Sequence, residues 1–373
     1  MNDLILTEVH IADMHFGAFD PKDQFNILYN EFFVKISPLR YDLLSINGDI
    51  FDHKFMANSD AISYALRFID MLIEDAMSKN AEVILLYGTE SHDAGQYNLF
   101  SSYEERYYER VHIVQDIRFL YIKGKKILCI PEKYGLDSRI YESFLYEQGL
   151  YDGVVMHGTY KGSVYGANTP SIESSHAPVF GPHHFIYCRG PIIAGHVHVP
   201  GCYDGHVYYC GSPLRYRFGE EEEKGFIILN HNVTTGQYYL YFEPIVSYKY
   251  DTVNMDEYIG RDPKELIEKI NYIQSQGSNF LRLEFTKTDE NLFDIITAYY
   301  RNNKKISFLK PDDRIEKIVQ AQVQQSDKYN DYQYIFDKSL TSEQILTRYI
   351  NQQKGYQYIT VDELRQVLNG FMP

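Results

Sequence analysis

Five short apolar runs, far apart in the chain, each stop at aspartate or histidine, and this recurrence restricts the possible folds most tightly. Leu4 to Ile11 leads into Ala12, Asp13, Met14 and His15, and Tyr41 to Asn47 leads into Gly48, Asp49, Ile50, Phe51, Asp52 and His53. Glu82 to Tyr87 leads into Gly88, Thr89, Glu90, Ser91, His92 and Asp93, and Gly153 to Met156 leads into His157 and Gly158. The last run starts at Pro191 and leads into Gly195, His196, Val197 and His198. Short apolar runs bounded by turn residues read as buried strands. In an open α/β sheet, ligand sites gather at the carboxyl ends of strands, so clusters remote in sequence can share one crevice. His196 and His198, leaving a strand just after a glycine, can turn both imidazoles toward one point, which proposes a metal site. Alone, such a pair is as often two ordinary histidines; the upstream clusters supply its partners.

Helices fall between the runs. Asp20 followed by Pro21 reads as an N-cap with proline in the first helical position. Phe25, Leu28, Tyr29, Phe32, Phe33 and Ile36 then repeat at helical spacing up to Pro38. A second helix opens near Asn58 or Ser59, with Ile62, Leu66, Ile69, Leu72, Ile73 and Met77 on one face. The opening therefore reads βαβαβ, an α/β fold with helices packed on a largely parallel sheet.

The motif set resembles the calcineurin-like metallophosphoesterases, whose pattern is D-x-H, G-D-x-x-D, G-N-H-D, a glycine-flanked His and G-H-x-H. The resemblance implies a two-sheet sandwich flanked by helices. It also implies two divalent metal ions, one held by Asp13, His15, Asp49 and His198. The other is held by Asp49, the residue before His92, His157 and His196, with Asp49 shared. Where the family reads G-N-H-D, this chain has two additional residues and Ser91 in the asparagine's place. The Ser91 hydroxyl, the Glu90 carboxylate or a weakly held second ion are the alternatives, and Ser91 is the one favoured. His92 is the candidate catalytic group, protonating the leaving oxygen or stabilising developing charge. Asp52 or His53 is expected to orient it. Carboxylate and imidazole ligands suit manganese.

Residues Tyr209 to Phe226, YCGSPLRYRFGEEEEKGF, are further similar to the G-S-x-x-R-x-x-F-G-E…K-G-F signature of SbcD-type nucleases, which in phages serve as recombination endonuclease subunits. This likeness implies DNA as substrate and an SbcC-like ATPase with a coiled coil as partner. It also implies a homodimer within a heterotetramer, in the cytoplasm, or the host cytoplasm for a phage protein. Arg215 and Arg217 are candidates to hold a phosphodiester backbone. A surface pair balancing the Glu220 to Glu223 run is the competing reading.

The rest of the chain is read by pattern. Residues 102–148 show a polar helix, a hairpin around Lys123 to Lys125 and no evident chemistry. Tyr160 to Pro182 reads as a long surface loop, and the strands from His206 to Phe242 read as a second sheet. The expected domains are 1–246, the nuclease; 247–310, a small α/β capping domain over the site; 311–338, a linker; and 339–373, a helical tail. The apolar faces of that tail (Leu340, Ile345, Leu346, Tyr349 and Ile350, then Val361, Leu364, Val367 and Leu368) need covering, by the body of the protein or, by resemblance, by the coiled-coil base of the partner.

Composition restricts the function classes. A net charge of −15 argues against a strong autonomous DNA binder, because duplex binding draws on clustered Lys and Arg. The four cysteines lack CxxC spacing and are expected to be reduced and mostly buried. The opening MNDLILTEVHIAD does not read as a signal peptide, and no apolar run approaches the roughly 20 residues of a membrane span. Two readings compete with the nuclease: a phosphatase or small-molecule phosphodiesterase with the same motifs, and a metal-free scaffold on the same fold.

Overall fold

The structure is a computed structural model that describes residues 4–134, 139–146, 149–166, 169–170, 177–285 and 290–309. Two units separate by their contacts: Met1–Asp251 with Gln276–Phe280, and Thr252–Ser275 with Leu281–Pro373.

The first unit opens with β1 (Ile5–Ile11), α1 (Pro21–Leu28) and β2 (Leu43–Asn47). The Asp20 carboxylate accepts from the amides of Lys22 and Asp23, both at 3.1 Å, and so caps α1 as its sequence predicts. Beyond Leu28 the helix widens through a π-helical segment, Tyr29–Phe33, and closes at Val34–Ile36. Next come α2 (Asp60–Ser78), capped by Ser59, then β3 (Glu82–Leu86), β4 (Val111–Val114), β5 (Arg118–Ile122), β6 (Lys125–Ile130) and β7 (Gly153–His157). The unit continues with β8 (Ile192–Gly195), β9 (Gly201–Tyr203), β10 (Val207–Tyr209), β11 (Lys224–Asn232) and β12 (Tyr238–Ile245).

These strands build two six-stranded sheets, in the orders β12-β11-β1-β2-β3-β4 and β9-β10-β8-β7-β6-β5. β1 to β4 are mutually parallel, as are β6, β7, β8 and β10. The strands after His206 do not form the second sheet by themselves. β10 joins it, whereas β11 runs antiparallel along β1 and brings β12 with it to the edge of the first sheet. The second sheet draws mainly on β5 to β8, since βαβ-type crossovers return parallel strands side by side.

Alternation along the strands splits the core into layers. Leu44, Val83 and Leu85 face the cluster that α1 and α2 cover, with Phe32, Phe68, Ile69 and Leu72. Leu43, Ile84 and Leu86 face the other way and meet Leu120, Ile127, Cys129 and Val155 between the sheets. Strands buried on both faces explain why their sequences are nearly continuous apolar runs. One buried charge cluster interrupts this core: Lys125 Nζ lies 2.5 Å from Glu8, which His10 and His231 approach at 3.3 and 4.0 Å.

Among the described residues, the second unit has two α-helices, Pro263–Ser275 and Glu290–Tyr299, around a core that includes Leu266, Ile270, Leu281, Leu283 and Ile296. From Pro263 to Leu309 a helix, a strand, a helix and a strand follow one another. The proposed linker and helical tail lie outside the described residues. No described helix is long and apolar enough to cross a membrane. All four cysteines are free, but only Cys129 and Cys210 are buried; Cys188 is half-buried and Cys202 exposed.

Candidate metal centre

The parallel strands of both sheets deliver their carboxyl ends to one place. After β1 and β2 the two chains stay paired: Asp13 donates its amide to the Gly48 carbonyl and His15 to that of Asp49, both at 3.0 Å. Asp13, His15 and Asp49 thereby become neighbours. All three hold positive φ, at 54°, 46° and 50°, as does His196 at 92°. Side-chain-bearing residues rarely adopt this region, and such strain concentrates where surrounding structure fixes a functional geometry.

Four overlapping groups bring ligand atoms within 4.8 Å of one another: Asp13, His15 and His198; His15, Asp49 and His92; Asp13, Asp49 and His157; and Glu132, His157 and His196. The Nε2 atoms of His15 and His198 stand 3.0 Å apart. His157 Nδ1 donates to the Asn47 carbonyl at 2.7 Å, which turns Nε2 toward Asp49 Oδ2 at 3.3 Å. Glycine is required behind this ring, because a Cβ on Gly48 would stand 2.2 Å from His157 Nδ1. Such buried, convergent carboxylates and imidazoles are the donor set that divalent cations take.

His92 sits on the short helix Glu90–Asp93, its Nδ1 bonded to the backbone carbonyl of Asp52 and its ring 4.6 Å from that of His15. The Asp52 carboxylate is committed elsewhere, 2.9 Å from His53 Nδ1 and 3.8 Å from His15 Nδ1. Orientation of His92 thus runs through the Asp52 main chain, while His53 is exposed and packs its ring on Phe55. Asp93 accepts from the amides of Gly88, Asp49 and Phe51 at 2.9 to 3.2 Å and locks the turns after β2 and β3 together.

Ser91 lines the crevice but is exposed on the same helix, and Glu90 is turned to the Tyr87 hydroxyl at 2.8 Å. The two additional residues are absorbed in that helical turn. The hydroxyl at the centre of the ligands belongs to Thr89, directly after Gly88. It lies 3.2 Å from Asp49 Oδ2, 2.8 Å from Glu132 Oε2, 3.3 Å from His157 Nε2 and 3.5 Å from His196 Nδ1.

Glu132 was missed from sequence, where residues 102–148 suggested no chemistry. Its signal is the same as that of the other clusters: β6 is an apolar run, and Pro131 and Glu132 follow it directly.

The two arginines separate. Arg215 donates to the carbonyls of Tyr248 and Glu222, a backbone-bracing role, whereas Arg217 lies on the rim of the crevice, paired with Glu220 at 3.3 Å and largely exposed. Glu220 is buried, so the acidic run is only partly solvated. Tyr216, between the arginines, packs against the His15 and His198 rings and donates to the Asp13 carbonyl at 3.0 Å. The crevice holds about 410 Å³.

The profile of the calcineurin-like phosphoesterases matches residues 7–200, more than half of the chain and all the strands that carry the ligand groups. This chain belongs to the calcineurin-like phosphoesterase family. It is therefore a phosphoester hydrolase by family, and the metallophosphoesterase centre is the one assembled above. No curated protein matches the chain. Among solved structures, a mutant cold-active protein tyrosine phosphatase is similar at 14% identity over 64% of this chain and 82% of its own, with a TM-score of 0.30.

Burial and the crowding of charges shift the ligand-type groups in both directions. Burial lowers the pKa values of His15, to about 4, and of His196 and His198, which keeps these imidazoles in the neutral form that binds cations. Burial raises Asp13, with Asp49 adding to the effect. Burial also disfavours charge on Asp49 and His157, but their mutual attraction outweighs it, lowering the aspartate and raising the histidine. Two imidazole nitrogens and a carboxylate packed this closely fit a divalent cation between them.

Proposed function

We propose that this phosphoesterase is the SbcD-type nuclease subunit of a DNA break-processing complex. It would hydrolyse DNA phosphodiesters with two divalent ions, manganese by preference, beside an SbcC-like ATPase. The observation that carries the hydrolytic part is the pair of ligand-type groups that share Asp49, one of them including His92. The nuclease part rests on the segment Tyr209 to Phe226 and its likeness to the SbcD signature.

Two divalent ions bound there would supply charge for a nonbridging phosphate oxygen and an acidified water for in-line attack. The chain supplies the rest. Asp13, His15, Asp49 and His198 would hold one ion, and Asp49, His157 and His196 belong to the other. His92, with Nδ1 fixed by the Asp52 carbonyl, presents Nε2 as the group that donates a proton to the leaving oxygen. Arg217, exposed on the rim, can meet the phosphate backbone, while Arg215 keeps its own segment in place.

In this reading the unit from Thr252 orients DNA and the tail beyond residue 338 binds the partner. The partner would also supply the positive track that a chain of net charge −15 lacks.

The test is incubation of the purified chain with manganese and linear or single-stranded DNA, with and without a coexpressed SbcC-like ATPase, beside a small phosphodiester and a phosphoprotein. Manganese-dependent DNA cleavage, increased by the partner, is expected. Turnover of the small substrates with DNA left intact under both conditions would sink the nuclease reading and leave the family's hydrolytic activity standing.

A further inference from the structure

Glu132 is a ligand-type group beside His157 and His196 that the metal-motif pattern does not supply. It follows β6 at the same sheet edge as His157 and His196, on the neighbouring parallel strands β7 and β8. Its carboxylate is buried. Oε2 stands 3.4 Å from His196 Nδ1, 4.0 Å from His157 Nε2 and 2.8 Å from the Thr89 hydroxyl. Among the described residues, those two imidazoles are its ion-pair neighbours, and no lysine or arginine pairs with it. A buried carboxylate needs a compensating positive charge. The Thr89 hydroxyl lies within reach of both the Asp49 and Glu132 carboxylates, but its single proton can serve only one of them.

We propose that Glu132 is a direct ligand of the second divalent ion, filling the coordination place that an asparagine holds in the family pattern, with the Thr89 hydroxyl beside it. The inference rests on the metallophosphoesterase reading and not on DNA as substrate. It gives the two ions matched surroundings. Asp13, Asp49, His15 and His198 face one; Asp49, Glu132, His157 and His196 face the other. Each set has two carboxylates and two imidazoles. The altered Gly88 to Asp93 turn then does not imply a weak second site, because the negative charge comes from another strand.

The experiment measures manganese binding by the metal-stripped full-length chain, by calorimetry and elemental analysis, with electron paramagnetic resonance to detect coupling between ions. Wild type is expected to bind two ions and show a coupled spectrum. Glu132→Ala is expected to keep one ion and the spectrum of an isolated one, its other site weakened by about 100-fold or more, at or beyond the upper end of what losing an outer partner costs. Glu132→Met, which keeps the side chain's length but offers no oxygen, decides the matter should the alanine variant misfold, and is expected to weaken the same site at least about tenfold. Two ions bound to either folded variant with wild-type affinity and coupling would overturn the assignment, even if activity were lost. No ion bound by wild type would instead refute the underlying metal-centre reading.

Discussion

The ammonium of Lys224 is fully buried and donates to the backbone carbonyl of His198 at 3.0 Å. It also reaches the Ser212 hydroxyl at 3.2 Å and the carboxylates of Glu220 and Glu222 at 2.8 Å. The lysine of the KGF triplet thus ties β11 and the serine of the preceding motif to a ligand-bearing loop. Through Lys224 the segment Tyr209 to Phe226 braces the main chain at His198.

Removing that charge takes the buried cation from Glu220 and leaves it only the largely exposed guanidinium of Arg217. Lys224→Met is expected to lose about 3–5 kcal/mol of stability, the usual cost of breaking a buried ion pair from one side. Urea unfolding measures this, and a change below about 1 kcal/mol would contradict the bracing role, since that is the size expected of an exposed pair.

Gly48 has φ +90°, and a Cβ there would also come within 2.8 Å of Gly88 Cα. Gly48→Ala is expected to cost more than the roughly 1–3 kcal/mol of backbone strain alone and to displace His157. Gly205 has φ +75° with nothing within 4 Å of a Cβ, so Gly205→Ala carries the strain without the clash. Thermal melts of the two variants, with manganese content, separate the terms; equal effects would deny any special role to the space behind His157.

If His92 moves the proton, His92→Ala should lower kcat by about 10²- to 10⁴-fold. Asp52→Ala keeps the carbonyl that holds His92 and should cost less than about tenfold on the same scale. Steady-state kinetics on the preferred substrate makes the comparison, with manganese content as the control. A larger loss in Asp52→Ala than in His92→Ala would point to the Asp52 carboxylate instead.

The charge cluster between the sheets predicts acid sensitivity. Burial, with Lys125 adding, lowers the His231 pKa to about 4 from 6.5, so its contribution to stability is complete above pH 6.5 and is lost as pH falls toward 4. Burial opposes ionisation of Glu8, but Lys125 and His10 outweigh it and lower its pKa from 4.5 to about 2. Its contribution is present above pH 4.5 and disappears as pH falls through 2. Denaturant midpoints across the acid range should fall steadily for wild type and more shallowly for the double variant Glu8→Gln, Lys125→Met. Parallel curves would remove the cluster from the account.

Chelation should expose the ions' share of stability. A cation at a hundred times its dissociation constant adds about 2.7 kcal/mol per site, so melting temperature should drop on stripping and recover with manganese. An unchanged melting temperature would argue against tight binding.

The sequence shows most of the centre because strand ends punctuate it. Asp13, His15, Asp49, His92, His157, His196 and His198 all follow apolar runs, and the strand ends of the two sheets bring them together. Glu132 follows the same rule, but it comes just after the second arm of a hairpin, a pattern that by itself implies no ligand. The Gly88 to Asp93 turn is harder to read from sequence for another reason. Counting back from His92 favours Ser91, whereas the short helix beginning at Glu90 leaves Thr89 as the residue facing the ligands.

The linear pattern by itself determined the α/β class, the two capped helices and the residue types that meet a cation, since hydrophobic periodicity and capping are local properties. Only the tertiary structure decided that β11 and β12 complete the first sheet and that the Asp52 carbonyl aims His92. It alone brought Glu132 to the ligands and gave Lys224 to His198. Such pairings depend on which distant strands lie side by side and on backbone angles unusual for their residues, and neither is encoded within any short stretch of chain.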